Sequence, residues 1–194
     1  DDVDKMKLYT AVMWGWARVG NPEKAQEWMD RMASPKEGDK HGRNRHHPDL
    51  TAWNALLMSW ANAAVDSSPT GKQQRRRPSF HETAKRAEGI LRKMRGLHKQ
   101  GKLSDPPDVV SYSILLDMWA KHAHDKKGKD GNVMAAERAH SMLMEMQHTG
   151  IKPNTVSYNT VITAYSRAGQ PQRAEALLQE MTEESMGGNL QVLP

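Results

Sequence analysis

An eight-position apolar pattern occurs four times in this chain, and it fixes the class of fold. After Tyr158, apolar residues fall at Val161, Ile162 and Tyr165. That spacing, i, i+3, i+4, i+7, lines one face of an α-helix. Gly169 stops the helix, and Pro171 suits the first turn of a second. The second helix carries Ala174, Leu177, Leu178 and Met181 at the same spacing. The double stripe recurs as Tyr112, Leu115, Leu116, Trp119 followed by Ala139, Met142, Leu143, Met146. It recurs again as Trp53, Leu56, Leu57, Trp60 with Ala87, Ile90, Leu91, Met94, and as Tyr9, Val12, Met13, Trp16 with Ala25, Trp28, Met29, Met32. In the first of these units Gly20 closes the helix, Asn21 suits the next N-cap, and Pro22 follows it.

One helical pair cannot bury two apolar faces, but stacked pairs can. The pattern therefore predicts an all-α chain, an α-solenoid of four helix–turn–helix repeats. Their approximate bounds are 6–49, 50–108, 109–154 and 155–189. Most Met and Trp side chains sit on the stripes and read as core. Trp14 and Met58 lie off them and are expected to pack against a neighbouring repeat. Insertions stretch the first three repeats at about 33–47, 65–79, 98–106 and 124–132. They are polar and rich in Gly, Pro, Lys and Arg, as exposed loops are.

Composition narrows the function. The 194 residues carry a formal net charge of +5, which favours an anionic partner through steering and phosphate contact. There is no Cys, so neither a disulfide framework nor a Cys-based zinc site is possible. The zinc deaminase signature, which needs Cys, is excluded as well. No apolar run approaches the ~18 residues of a membrane span. His46, His47 and Asp49 resemble metal ligands only by residue type. Neither a metal nor a cofactor is expected, and no carboxylate cluster suggests a nuclease. The first residue is Asp1 rather than Met. The expectation is a piece of a longer protein, with any targeting segment upstream.

Two further stretches decide between repeat families. PNTVSYNTVITAYSRAGQPQRAEALLQEM (Pro153–Met181) and PDVVSYSILLDMWAK (Pro107–Lys121) lack the W-x2-L-G-x2-Y pattern of tetratricopeptide repeats. They resemble pentatricopeptide repeats instead. PDLTAWNALLMSWANA (Pro48–Ala63) and KLYTAVMWGWARVGNPEKAQEWMDRM (Lys7–Met32) resemble them too. The resemblance covers essentially the whole chain. It implies a right-handed superhelix that binds single-stranded RNA, about one base per repeat, in a mitochondrion or chloroplast. It also admits RNA-processing proteins as partners. It does not speak to oligomeric state.

By that resemblance, one reader is the small polar residue behind the first-helix aromatic: Thr10, Asn54, Ser113 or Asn159. The other closes the repeat: Asp49, Asp108, Asn154 or Asn189. Thr10 with Asp49 resembles the combination for G, Asn54 with Asp108 that for U, and Ser113 with Asn154 that for A. Asn159 with Asn189 resembles that for C or U, giving 5′-G-U-A-(C/U)-3′. The base-wedging positions are Thr51, Val110 and Val156, while Lys7 departs from the usual Val. Helix capping is an equally local reason for Asp, Asn, Ser and Thr at such places. Arg18, Lys121 and Arg167 recur near the first-helix end, where Asn62 takes the place in the second repeat. They either complement the helix dipole or contact successive phosphates. The RRRPS stretch, Arg75–Ser79, reads as a solvated loop, an auxiliary RNA contact or a modification site. The alternative to an RNA reader is a protein-binding solenoid without RNA selectivity.

Overall fold

The computed structural model describes residues 2–33, 48–65, 79–123 and 129–187. Among them are eight α-helices and no strand. They are α1 (Asp2–Arg18), α2 (Pro22–Ala33), α3 (Leu50–Val65), α4 (Phe80–Lys99), α5 (Val109–His122), α6 (Lys129–His148), α7 (Thr155–Arg167) and α8 (Pro171–Gly187). The fold is all-α, an α-solenoid of helix pairs. It divides into two compact units, Asp1–Ile114 and Leu115–Pro194, with the division inside α5.

In the first unit α1 packs on α2 and on α3, α2 on α3, and α3 on α4. Met13, Met29, Leu56, Leu57, Leu91 and Met94 fill its interior. Each such side chain contributes roughly 1.5–3 kcal/mol by leaving water. In the second unit α7 packs on both α6 and α8, around Leu143, Met146, Val161 and Leu177. The second helix of each pair opens its stripe with a buried alanine: Ala25, Ala87, Ala139 or Ala174. A side chain that ends at Cβ lets the facing helix come close.

The turns follow the local chemistry. Asn21 Oδ1 accepts from the Lys24 backbone N–H at 3.0 Å and caps α2, with Pro22 in its first position. Ser79 caps α4 by accepting from the Glu82 N–H at 3.2 Å. Gly20 ends α1 with φ at 65°. Its N–H bonds to Ala17 O at 3.1 Å and the Asn21 N–H to Trp16 O at 3.1 Å, the Schellman pattern. Gly169 does the same after α7.

Several expectations need correction. Val12 and Leu178 sit on predicted core stripes but are exposed. Among the described residues α1 packs on α2 and α3, and α8 on α7, and these contacts leave Val12 and Leu178 uncovered. The inserted segment expected at 124–132 ends earlier, because α6 begins at Lys129. The segment at 98–106 starts within α4 and is not wholly exposed. Leu103 is buried, and its carbonyl lies 3.0 Å from His98 Nδ1. Trp14 and Met58 are half-buried. Residues 34–47, 66–78 and 124–128 of the expected insertions, with His46 and His47, lie outside the described residues.

A polar cluster ties α6, α7 and α8 together. His140 Nδ1 and the Tyr165 hydroxyl are 2.9 Å apart, and the rings meet edge to face. Arg173 lies over the Tyr165 ring and pairs with Glu137. Burial lowers the His140 pKa below the ordinary imidazole value; the Glu180 charge opposes the shift and the Arg173 charge adds to it. Burial likewise raises the Tyr165 hydroxyl. A histidine that resists protonation only when folded favours the folded state above its unfolded pKa of about 6.5. That contribution is lost as pH falls from there toward the lowered folded value. His140→Gln is therefore expected to flatten the fall in melting temperature between roughly pH 7.5 and 5.5. Identical pH profiles for variant and wild type would exclude this assignment.

Candidate nucleic-acid interface

The closing residues of the first three repeats all do structural work. Asp49 Oδ1 accepts from the Ala52 N–H at 2.8 Å, Asp108 Oδ1 from the Ser111 N–H at 2.9 Å, and Asn154 Oδ1 from the Ser157 N–H at 2.9 Å. Each follows a buried proline, Pro48, Pro107 or Pro153, and starts the next first helix. The capping explanation is thus correct for all three. It does not exhaust them. A capping aspartate keeps a second carboxylate oxygen, which can only accept. A capping asparagine keeps its NH2, which can only donate. Capping leaves each closing residue with a single hydrogen-bonding polarity.

In the second repeat the two candidate readers are brought together. Asn54 Nδ2 lies 3.4 Å from Asp108 Oδ1. They are 54 positions apart in the chain and meet where α3 stands beside the start of α5. Asn54 is 5% exposed. Its carbonyl accepts from the Ser111 hydroxyl at 2.6 Å. That hydroxyl is also 3.0 Å from Asp108 Oδ1 and accepts from the Asp108 N–H at 3.2 Å. Asn54, Asp108 and Ser111 form one closed cluster.

The other candidates are placed less completely. Thr10 and Ser113 are half-buried and Asn159 is exposed. Among the described residues Thr10 and Asp49 share no hydrogen bond. Ser113 belongs to the first unit and Asn154 to the second. Asn189 lies outside the described residues. The wedging positions are solvent-facing: Val110 is 49% and Val156 63% exposed, and Thr51 is exposed too. An aliphatic side chain left in water beside a capping Asp or Asn is unexplained by packing in either unit.

The candidate phosphate contacts differ among themselves. Arg18 and Arg167 are exposed. Lys121 is engaged by Asp117 at 2.6 Å, one turn earlier on α5. Asn62, which replaces the cation in the second repeat, donates to Ala17 O at 2.9 Å and so satisfies the end of α1. Among the described residues no cluster of His, Asp and Glu could hold a metal ion, and no helix is long and apolar enough to cross a membrane.

Two features of the structure lie outside the apolar stripes. One is Ser111, whose role needs a partner 57 positions away. The other is a cation just before the second-helix alanine. Arg86 lies over Trp60 at 5.1 Å and Arg173 over Tyr165 at 5.8 Å, worth about 0.5–1 kcal/mol each at an exposed site. The recurrence of Lys24, Arg86, Arg138 and Arg173 at that register was the available signal.

Parts of the chain match known repeats and proteins. Residues 7–34 and 149–182 each match the family model of the PPR repeat. A chloroplastic pentatricopeptide repeat-containing protein of Arabidopsis thaliana is 24% identical over 201 residues, covering 90% of this chain and 22% of the relative. A second chloroplastic protein of that name and organism is 32% identical over 95 residues, covering 49% of this chain and 16% of the relative. The chain therefore spans less than a quarter of either relative's length. The chain carries pentatricopeptide repeats at residues 7–34 and 149–182, and over 90% of its length it is similar to a protein named for that repeat.

Proposed function

We propose that this chain binds single-stranded RNA and reads it one base per repeat. The observation that carries the reading is the pairing of Asn54 with Asp108, each with one polarity left over. Uracil presents an N3–H between two carbonyl oxygens. The second Asp108 oxygen accepts from N3–H, and Asn54 Nδ2 donates to a neighbouring carbonyl. Cytosine has a lone pair at N3 and meets the carboxylate unfavourably.

The same rule extends to the other repeats. Asp49 offers an acceptor to the N1–H of guanine, with Thr10 beside it in the code. Asn154 offers a donor to the N1 lone pair of adenine, with Ser113. Asn159 and Asn189 follow for cytosine or uracil, so the core is 5′-G-U-A-(C/U)-3′. Val110, Val156 and Thr51 press against base faces. Arg18, Lys121 and Arg167 contact phosphates and position the strand without specifying it. The activity is occupancy rather than catalysis: a covered segment is shielded from nucleases and from pairing. The chloroplastic relatives favour work on organellar transcripts, in a chloroplast or mitochondrion.

The test is fluorescence anisotropy at low salt with an unstructured RNA containing GUAU, a shuffled RNA and the matching DNA. Preference for the first RNA supports the reading. Equal, salt-sensitive binding to all three reduces the chain to a basic surface, and no binding at all favours the protein-scaffold alternative. Within the same assay, Arg167→Ala is expected to weaken every RNA alike and to reduce the salt slope by about 1. Lys121→Ala is expected to do less, since Asp117 already engages that ammonium. A sequence-dependent loss for Arg167→Ala would contradict its placement on phosphates.

A further inference from the structure

We infer that Ser111, which opens the third repeat, is a positioning residue that sets the base preference of the second. The inference rests on the RNA-reading proposal and adds a residue to it. An asparagine amide is ambiguous as a reader, because a half-turn about its last bond exchanges donor for acceptor. Asn54 is held in one of the two orientations. Its Oδ1 takes the Ser111 hydroxyl proton at 2.6 Å, while its Nδ2 faces Asp108 Oδ1 at 3.4 Å. The Asp108 N–H donates to the same hydroxyl oxygen; the hydroxyl proton has Asn54 Oδ1 at 2.6 Å and Asp108 Oδ1 at 3.0 Å within reach, and the shorter contact is the one to Asn54. A flipped amide would set its carbonyl against the Asp108 carboxylate.

Burial enforces the arrangement. Ser111 is 0% and Asn54 5% exposed, so water does not replace a missing partner cheaply. With the carbonyl turned inward, what Asn54 can offer a base is N–H. Ser111 thus belongs to one repeat by sequence and acts on the base of the repeat before it.

The equivalent positions show that this is a local option and not a requirement of the helix start. Ala52 occupies the place before the second-repeat aromatic, and its backbone N–H bonds to Asp49 as Ser111's does to Asp108. It has no hydroxyl with which to steer Thr10. Ser157 has one, and it reaches Asn154 Oδ1 at 3.1 Å.

The test uses two variants of equal bulk, Ser111→Thr and Ser111→Val, which differ in a hydroxyl against a methyl. Anisotropy compares RNAs with uracil or cytosine at the second base of the core. Ser111→Thr is expected to keep the wild-type uracil preference. Ser111→Val is expected to lose at least about 5-fold of it, within the range of a single good base contact, with the affinity for shuffled RNA and the salt slope unchanged. If both variants keep the preference, or both lose it, the hydroxyl is not the determinant and the inference is overturned. A wild-type chain with no uracil preference at that base overturns the reading and the inference together. A wild-type preference that survives in Ser111→Val overturns the inference alone.

Discussion

Gly20→Ala is expected to destabilise the first unit by roughly 2–5 kcal/mol, whereas Gly169→Ala costs the second only about 1–2 kcal/mol. Both glycines end a first helix in the left-handed region, at φ 65° and 71°. A side chain there costs about 1–2 kcal/mol on conformational grounds. The surroundings separate them. A Cβ at Gly20 would stand 3.2 Å from the Ala63 backbone N and 3.3 Å from the Asn62 carbonyl carbon, while a Cβ at Gly169 meets open space. The atoms it meets at Gly20 are the backbone of α3 and cannot rotate aside. Overpacking of that kind adds about 1–3 kcal/mol. The Asn62 side chain, bonded to Ala17 O at 2.9 Å, holds α3 and the α1–α2 turn at this close approach. Urea unfolding followed by tryptophan fluorescence suits the first unit, since Trp14, Trp16, Trp28, Trp53 and Trp60 lie within it and Trp119 in the second. Equal costs for the two substitutions would mean that the approach of α3 does not constrain Gly20.

That contrast also marks what the sequence could carry. Gly20 and Gly169 look alike in sequence because helix termination is local: a stripe ends, a glycine follows, and a proline opens the next helix. The stripes are legible for the same reason, since side-chain period and helix geometry are set within a few residues. What covers a stripe is not local. Val12 and Leu56 hold equivalent places, yet one is exposed and the other buried, because coverage depends on which helices lie alongside. The candidate site divides in the same way. Asp49, Asp108 and Asn154 stand out by their recurrence, and their capping bonds span three residues. The contact between Asn54 and Ser111 depends on the register of α3 against α5. No periodicity in either helix encodes it, so the serine passed as one more small residue before an aromatic. The inserted stretch expected at 124–132 overlaps the start of α6 at Lys129 for a further reason. Lys129–Asn132 has loop composition, but helix start sites accept those residues.

Asp108→Asn offers the largest change in recognition with the least change in structure. Asparagine caps a helix about as well as aspartate, so its carbonyl keeps the Ser111 N–H and α5 keeps its start. The bond from Asn54 Nδ2 survives as well, since the acceptor is still a carbonyl oxygen. The atom left toward the base is different: an NH2 donor replaces a carboxylate acceptor. A donor opposes the N3–H of uracil and meets the N3 lone pair of cytosine. The substitution is therefore expected to move the preference at the second base from uracil toward cytosine, with a change in the uracil-to-cytosine ratio of roughly 10- to 100-fold, in line with a bidentate base contact. Asp108→Ala makes the comparison informative. It removes cap and reader together, costs about 1 kcal/mol for the cap, and is expected to leave neither base preferred. Anisotropy with the paired RNAs, alongside urea denaturation of each variant, reads both effects. If Asp108→Asn retains the wild-type ratio while folding normally, the second Asp108 oxygen does not touch the base. The closing residue is then a cap alone, and the recurrence of Asp and Asn at that place reflects how these helices begin.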